Sequence, residues 1–178
     1  MLFRSECRVE HLIIENETVA GVRGEGPDGS FEITARGGVV LATGGFEWNP
    51  ELVRAFLRGP MSSPVSVPTN EGDGLKMTMR IGAALGNMRE AWWMPAVEIP
   101  GDRGDGRPDQ HLFASERSRP RSIMVNRAGR RFTNEAANYN AFGAAFHEQD
   151  VARFEYANLP CWFIFDQTHL DKFGFIGT

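Results

Sequence analysis

Gly37-Gly38-Val39-Val40-Leu41-Ala42-Thr43-Gly44-Gly45-Phe46 is the stretch that sets the fold of this chain. Val39 to Ala42 are apolar without a break, and glycine pairs bracket them. That is the pattern of a short buried strand running into a tight turn. The turn Ala42-Thr43-Gly44-Gly45 has almost no side-chain bulk, so its backbone N–H groups can approach a ligand closely. Open α/β sheets place nucleotide phosphates where a buried strand ends in such a turn. A packed strand with a glycine turn and no ligand is the competing reading, and these residues alone leave both open.

On the N-terminal side the stretch is fed by a meander. Arg8 to Ile14 alternate loosely and carry β-branched residues, which predicts a strand. Asn16-Glu17 forms a turn to a hairpin partner, Thr18 to Gly24. Pro27-Asp28-Gly29 turns the chain again into a strand over Phe31 to Ala35.

On the other side, Asn49 is placed to cap a helix with Pro50 at its first position and Glu51 in its first turn. Leu52, Val53, Phe56 and Leu57 share its apolar face, and Gly59-Pro60 ends it. Asn70-Glu71-Gly72-Asp73-Gly74 opens a second helix, Leu75 to Leu85, with Met77, Met79, Ile81 and Ala84 as apolar contacts. Gly82-Ala83-Ala84 would let that helix pack closely on a neighbour. Asp73 favours the helix dipole, or faces a ligand across the room that Gly72 and Gly74 leave.

Ala91-Trp92-Trp93-Met94-Pro95 is a bulky apolar cluster that suits either a core or the wall of a pocket for a flat ligand. Residues 100–111 are expected to be polar and exposed, and Arg117, Arg119 and Arg121 to form a solvated face. Ser122 to Val125 predicts a strand, Asn126-Arg127-Ala128-Gly129 a turn, and Tyr139 to His147 a helix. Cys161 to Phe165 is an apolar strand ending at Asp166, before a last helix near Thr168.

With 178 residues, 42% of them hydrophobic and 24% charged, the composition is that of an ordinary globular protein. A net charge of −4 argues against a nucleic-acid partner. No run approaches the ~18 apolar residues of a membrane span. The first residues lack the regions of a signal peptide, and Cys7 and Cys161 fit neither a metal spacing nor a disulfide framework. A cytoplasmic chain is the simplest expectation.

Two groups of residues together resemble one family. Gly38 to Phe46 with Asn70-Glu71-Gly72-Asp73-Gly74 resembles the middle of the fumarate reductase/succinate dehydrogenase flavoprotein superfamily. Val125-Asn126-Arg127-Ala128-Gly129-Arg130-Arg131-Phe132-Thr133-Asn134-Glu135 resembles the segment opening its catalytic domain. Phe165-Asp166-Gln167 and the paired tryptophans are most similar to the 3-ketosteroid dehydrogenase branch. The resemblance implies a mixed α+β and α/β fold. Residues 1–110 would be the later part of an FAD-binding domain, a β-meander with a buried sheet strand and helices. Residues 111–178 would begin an α+β catalytic, or capping, domain.

The resemblance implies FAD contacts from Val9, Ala42, Thr43, Gly44, Gly45, Asp73 and Gly74, and substrate contacts from Trp92, Trp93 and Phe132. The Gly-x-Gly-x-x-Gly turn of such flavoproteins has no counterpart, since Gly21 to Gly26 lies in a hairpin. The chain is therefore expected to be an internal fragment of a flavoenzyme. An inactive truncated domain that binds no flavin is one of the alternatives. Such a fragment would be colourless, or would self-associate through an exposed sheet edge.

Two enzyme classes compete for the parent. In dicarboxylate reductases of the superfamily Glu135 would belong to a proton relay, with an arginine three residues on; this chain has Asn138 there. Holding two carboxylates calls for guanidinium groups, and Ala136-Ala137-Asn138-Tyr139-Asn140 offers none. Tyr139 falls where ketosteroid dehydrogenases carry an active-site tyrosine. Dehydrogenation next to a ketone removes a proton and a hydride, and a tyrosine can take the proton while flavin takes the hydride. The structural alternatives are a bonded buried Tyr139, and a Glu135 paired with Arg130 or Arg131. The expected partners are a small apolar ketone and an electron acceptor.

Overall fold

Asn16 and Glu17 both take positive φ, 48° and 61°, as the primed two-residue hairpin turn requires. They join β1 (Arg8–Glu15) to β2 (Thr18–Gly26), and Gly29 at φ 102° closes the second turn into β3 (Gly29–Thr34). The three strands form an antiparallel meander in the order β1-β2-β3. Gly24 pairs with Val9, and a β-carbon there would lie 2.9 Å from Val9 Cα. Only glycine lets β1 close in at that point, beside the irregularity between Val9 and His11.

The computed structural model describes residues 3–61, 64–99 and 109–176. They divide into two compact units, Met1–Phe56 with Ser66–Met88, and Leu57–Val65 with Arg89–Thr178. Among the described residues no helix is long and apolar enough to cross a membrane.

The meander belongs to the first unit, together with α1 (Pro50–Phe56) and α2 (Asp73–Arg80). Asn49 caps α1 as its sequence requires: Oδ1 accepts from the N–H groups of Glu51 and Leu52, both at 3.1 Å. Leu52, Val53 and Phe56 are half-buried on one face while Arg54 and Ala55 are exposed. In α2, Met77 is the buried anchor at 3% exposure.

Two expectations fail in this unit. Residues 38–42 are not a buried strand: Val39 and Leu41 are half-buried, but Val40 is 92% exposed. A strand is held by its ladder, and among the described residues none pairs with this stretch. Nor does α2 reach Leu85. Ile81 caps it and Gly82 takes φ 81°, the left-handed conformation that stops a helix. Ile81, Gly82, Ala83, Ala84 and Leu85 are exposed.

The second unit starts with β4 (Ala96–Ile99), antiparallel to β5 (Asp109–Leu112). Asp109 to Leu112 are thus in a ladder, and 100–108, most of the stretch expected to be polar and exposed, lie outside the described residues. β6 (Ser122–Asn126) leads through the Gly129 turn to α3 (Tyr139–Phe146). Two short strands follow, β7 (Gln149–Asp150) and β8 (Glu155–Tyr156), then β9 (Cys161–Phe165) and α4 (Gln167–Phe173). β9 returns antiparallel to β6. Phe113, Met124 and Phe142 form the core, with Val97, Phe132, Phe146 and Phe163 packed around them.

Arg117 departs from the expected solvated face. It is 6% exposed, its guanidinium lies 4.5 Å from the Phe142 ring centroid, and Nη1 donates to the Glu135 carbonyl. The flat, weakly hydrated guanidinium tolerates such a place on an aromatic face. Arg119 and Arg121 are held as well, by the Phe173 carbonyl and by Asp166.

Candidate functional site

In the first unit the fold brings three distant segments together. The first is the exposed turn 42–45, with Gly44 at φ 74°. The second is the start of α2: the Gly74 N–H donates to Thr43 Oγ1 at 3.1 Å, and the Gly72 N–H to the Gly45 carbonyl at 3.0 Å. Gly72 at φ 83° is buried, and a β-carbon there would come 2.7 Å from Leu52 Cδ1. The glycines are therefore required by close approach, as well as by backbone conformation. Glu47 fixes the same corner from behind, accepting from Ser66 Oγ and from Asn70 Nδ2 at 2.8 Å. Burial alone would raise the Glu47 carboxyl, but these hydrogen bonds outweigh it and hold it below the ordinary value.

The third segment is the start of β1. Arg8, next to the candidate Val9, reaches Asp73 with Nη2 to Oδ2 at 3.2 Å, and Lys76 lies 3.5 Å from Oδ1. Arg8 is 62% exposed, and such ion pairs are worth about 0–1 kcal/mol. Asp73 is thus loosely engaged and open to a ligand's donors. The seven candidates for cofactor contact converge on one unit, with Ala42, Thr43, Gly44 and Gly45 presenting exposed backbone. Small exposed turns and a half-exposed carboxylate suit a dinucleotide's phosphates and hydroxyls.

In the second unit the structure pairs two candidates. Trp92 meets Tyr139 edge-on, 6.3 Å between ring centroids at 90°. Trp92 is 85% exposed and Tyr139 half-buried. Asn138, where the reductase arginine would stand, caps α3 instead: its Oδ1 accepts from the Ala141 N–H at 3.0 Å. Trp93 is buried, and Phe132 is edge-on to Phe146 in the core, 5.6 Å between centroids. Neither Trp93 nor Phe132 joins the exposed Trp92 face.

Glu135 is buried and fully employed. Its carboxylate accepts from Arg131 Nε at 3.0 Å on both oxygens, from Arg131 Nη2, and from the Met124 N–H at 2.8 Å. Burial pushes the carboxyl up, and the arginine and backbone donors more than reverse it, leaving it lowered. Arg8, Gly143 and His147 were missed from the sequence. The signal for the last two was present, since they follow Tyr139 at helical intervals of four.

A family model described as FAD binding domain matches residues 1–173. The chain belongs to that family. The FAD binding domain chain is 46% identical over 142 residues to a 4-oxocyclohexanecarboxylate 2-dehydrogenase of Sinomonas cyclohexanicum, covering 80% of the chain and 25% of the relative. It is 38% identical over 179 residues to a 3-oxosteroid 1-dehydrogenase of Mycobacterium tuberculosis, covering 93% and 30%. A crystal structure of 3-ketosteroid delta1-dehydrogenase from Sterolibacterium denitrificans, in complex with 1,4-androstadiene-3,17-dione, superposes with a TM-score of 0.79 at 37% identity. That match covers 92% of this chain and 29% of the other. The chain thus spans under a third of the length of the relatives it matches.

Proposed function

We propose that the full-length protein carrying this chain is an FAD-dependent dehydrogenase of a ring carbon–carbon bond next to a ketone, with a 3-ketosteroid-like substrate. The observation that carries this reading is the Trp92–Tyr139 pair, an exposed indole set at 90° to the candidate base. The family, and the cyclic ketones named in its relatives, support it. The converging turn 42–45, Asp73, Gly74 and Val9 would hold the cofactor through backbone N–H groups and one carboxylate. FAD, when bound, supplies the acceptor for a hydride.

What remains for the chain's own residues is orientation and proton removal. Trp92 offers a flat apolar face on which a ring can stack. Tyr139 takes the proton from the carbon beside the ketone, while the hydride leaves the adjacent carbon, and a double bond forms between them. A tyrosine base of this kind contributes about 10²–10⁴ in rate. Glu135 acts structurally: Arg131 and Met124 occupy its carboxylate. Asn138, engaged as a helix cap, supplies no cation for a dicarboxylate.

Tyr139→Phe in the full-length protein should lower kcat on a 3-ketosteroid by at least about 10²-fold with flavin content unchanged. Unchanged kcat would remove Tyr139 from the role of base.

A further inference from the structure

Tyr139, Gly143 and His147 stand four residues apart along α3 and its C-cap, so they form one stripe on the helix. The two consecutive tryptophans straddle that stripe. Trp92 meets Tyr139, while Trp93 meets His147 with ring centroids 4.3 Å apart at 77°. Between them, a β-carbon on Gly143 would lie 2.6 Å from Trp93 Cβ, closer than any side chain tolerates. Gly143 does not take positive φ. Its missing side chain therefore serves space, not backbone conformation.

Trp93 is 8% exposed, and among the described residues its indole Nε1 has no hydrogen-bond partner, so packing alone seats it. The Trp93 N–H donates to the Ala91 carbonyl at 2.9 Å, which makes Trp92 the centre of a three-residue turn. The seat and the exposed ring belong to adjacent residues, so a shift of Trp93 is carried directly to Trp92.

We propose that Gly143 is a positioning residue: by admitting Trp93 against α3 it sets Trp92 across Tyr139. The kinetic consequence rests on Tyr139 being the base; the packing consequence does not.

The test uses the full-length flavoprotein labelled with 5-fluorotryptophan, with the resonances of Trp92 and Trp93 assigned by Trp92→Phe and Trp93→Phe. Gly143→Ala should move both resonances and leave those of Trp48 and Trp162 in place. It should also lower kcat on a 3-ketosteroid by about 10²-fold, the size expected for a displacement near 1 Å, with KM little changed. Ala144→Ser, on the exposed side of α3, should do neither. If Gly143→Ala does not fold, Trp93→Phe carries the same test on the Trp92 resonance. A Trp92 resonance unmoved in both variants overturns the proposal. A moved resonance with kcat intact upholds the seat and rejects Tyr139 as the base.

Discussion

His147 ties the positioning stripe to pH. Burial lowers its pKa from the ordinary 6.5; the Arg58 guanidinium lowers it further, while the Pro60 carbonyl and Glu90 oppose the shift. The Trp93 and Tyr156 rings flank it, with centroids 4.3 and 6.3 Å away. The folded state thus resists protonation that the unfolded chain accepts. Stability is then full above pH 6.5 and is lost as pH falls from there to the folded value. The urea midpoint should decline as the pH is lowered below 6.5, and His147→Phe should flatten that decline. An equal slope in wild type and variant would refute the assignment. The Glu135 carboxyl, also lowered, adds a separate loss below 4.5.

Among the elements, the helix starts were legible in sequence because a cap is local chemistry. Asn49, Asn138 and Asp166 each accept backbone N–H groups a few residues ahead. Asn49→Ala should therefore destabilise the first unit by about 0.5–2 kcal/mol, read as a lower denaturation midpoint. Asn49→Asp should retain most of the stability, and equal losses in both variants would contradict a capping role. The meander was legible for the same reason, from turn residues such as Asn16 and Gly29. Residues 38–42 were not, because a run of apolar residues states burial but not the ladder partner that makes a strand. Arg117 was misread because charge pattern says nothing of Phe142, which is 25 positions away in sequence and beside it in space. The end of α2 at Gly82 was open to inspection in sequence; the apolar spacing beyond it masked the stop.

At the scale of the molecule, the sequence singled out separate candidate segments for cofactor contact, and the structure brings them together in the first unit. Thr43 with Gly74, and Arg8 with Asp73, are long-range contacts that motif order did not show. The Trp92–Tyr139 pair was legible only as two separate candidates. Their meeting depends on Gly143, whose role is visible only once Trp93 is seen against it. The central claim is that this chain serves oxidation of a cyclic ketone through bound FAD. Its most direct test is anaerobic mixing of the full-length, flavin-loaded protein with a 3-ketosteroid, followed by the visible flavin absorbance. The account predicts stoichiometric bleaching in the wild type and slowing by at least about 10²-fold in Tyr139→Phe. An unchanged absorbance with the ketone, together with oxidation of a reduced viologen dye by fumarate, would contradict it.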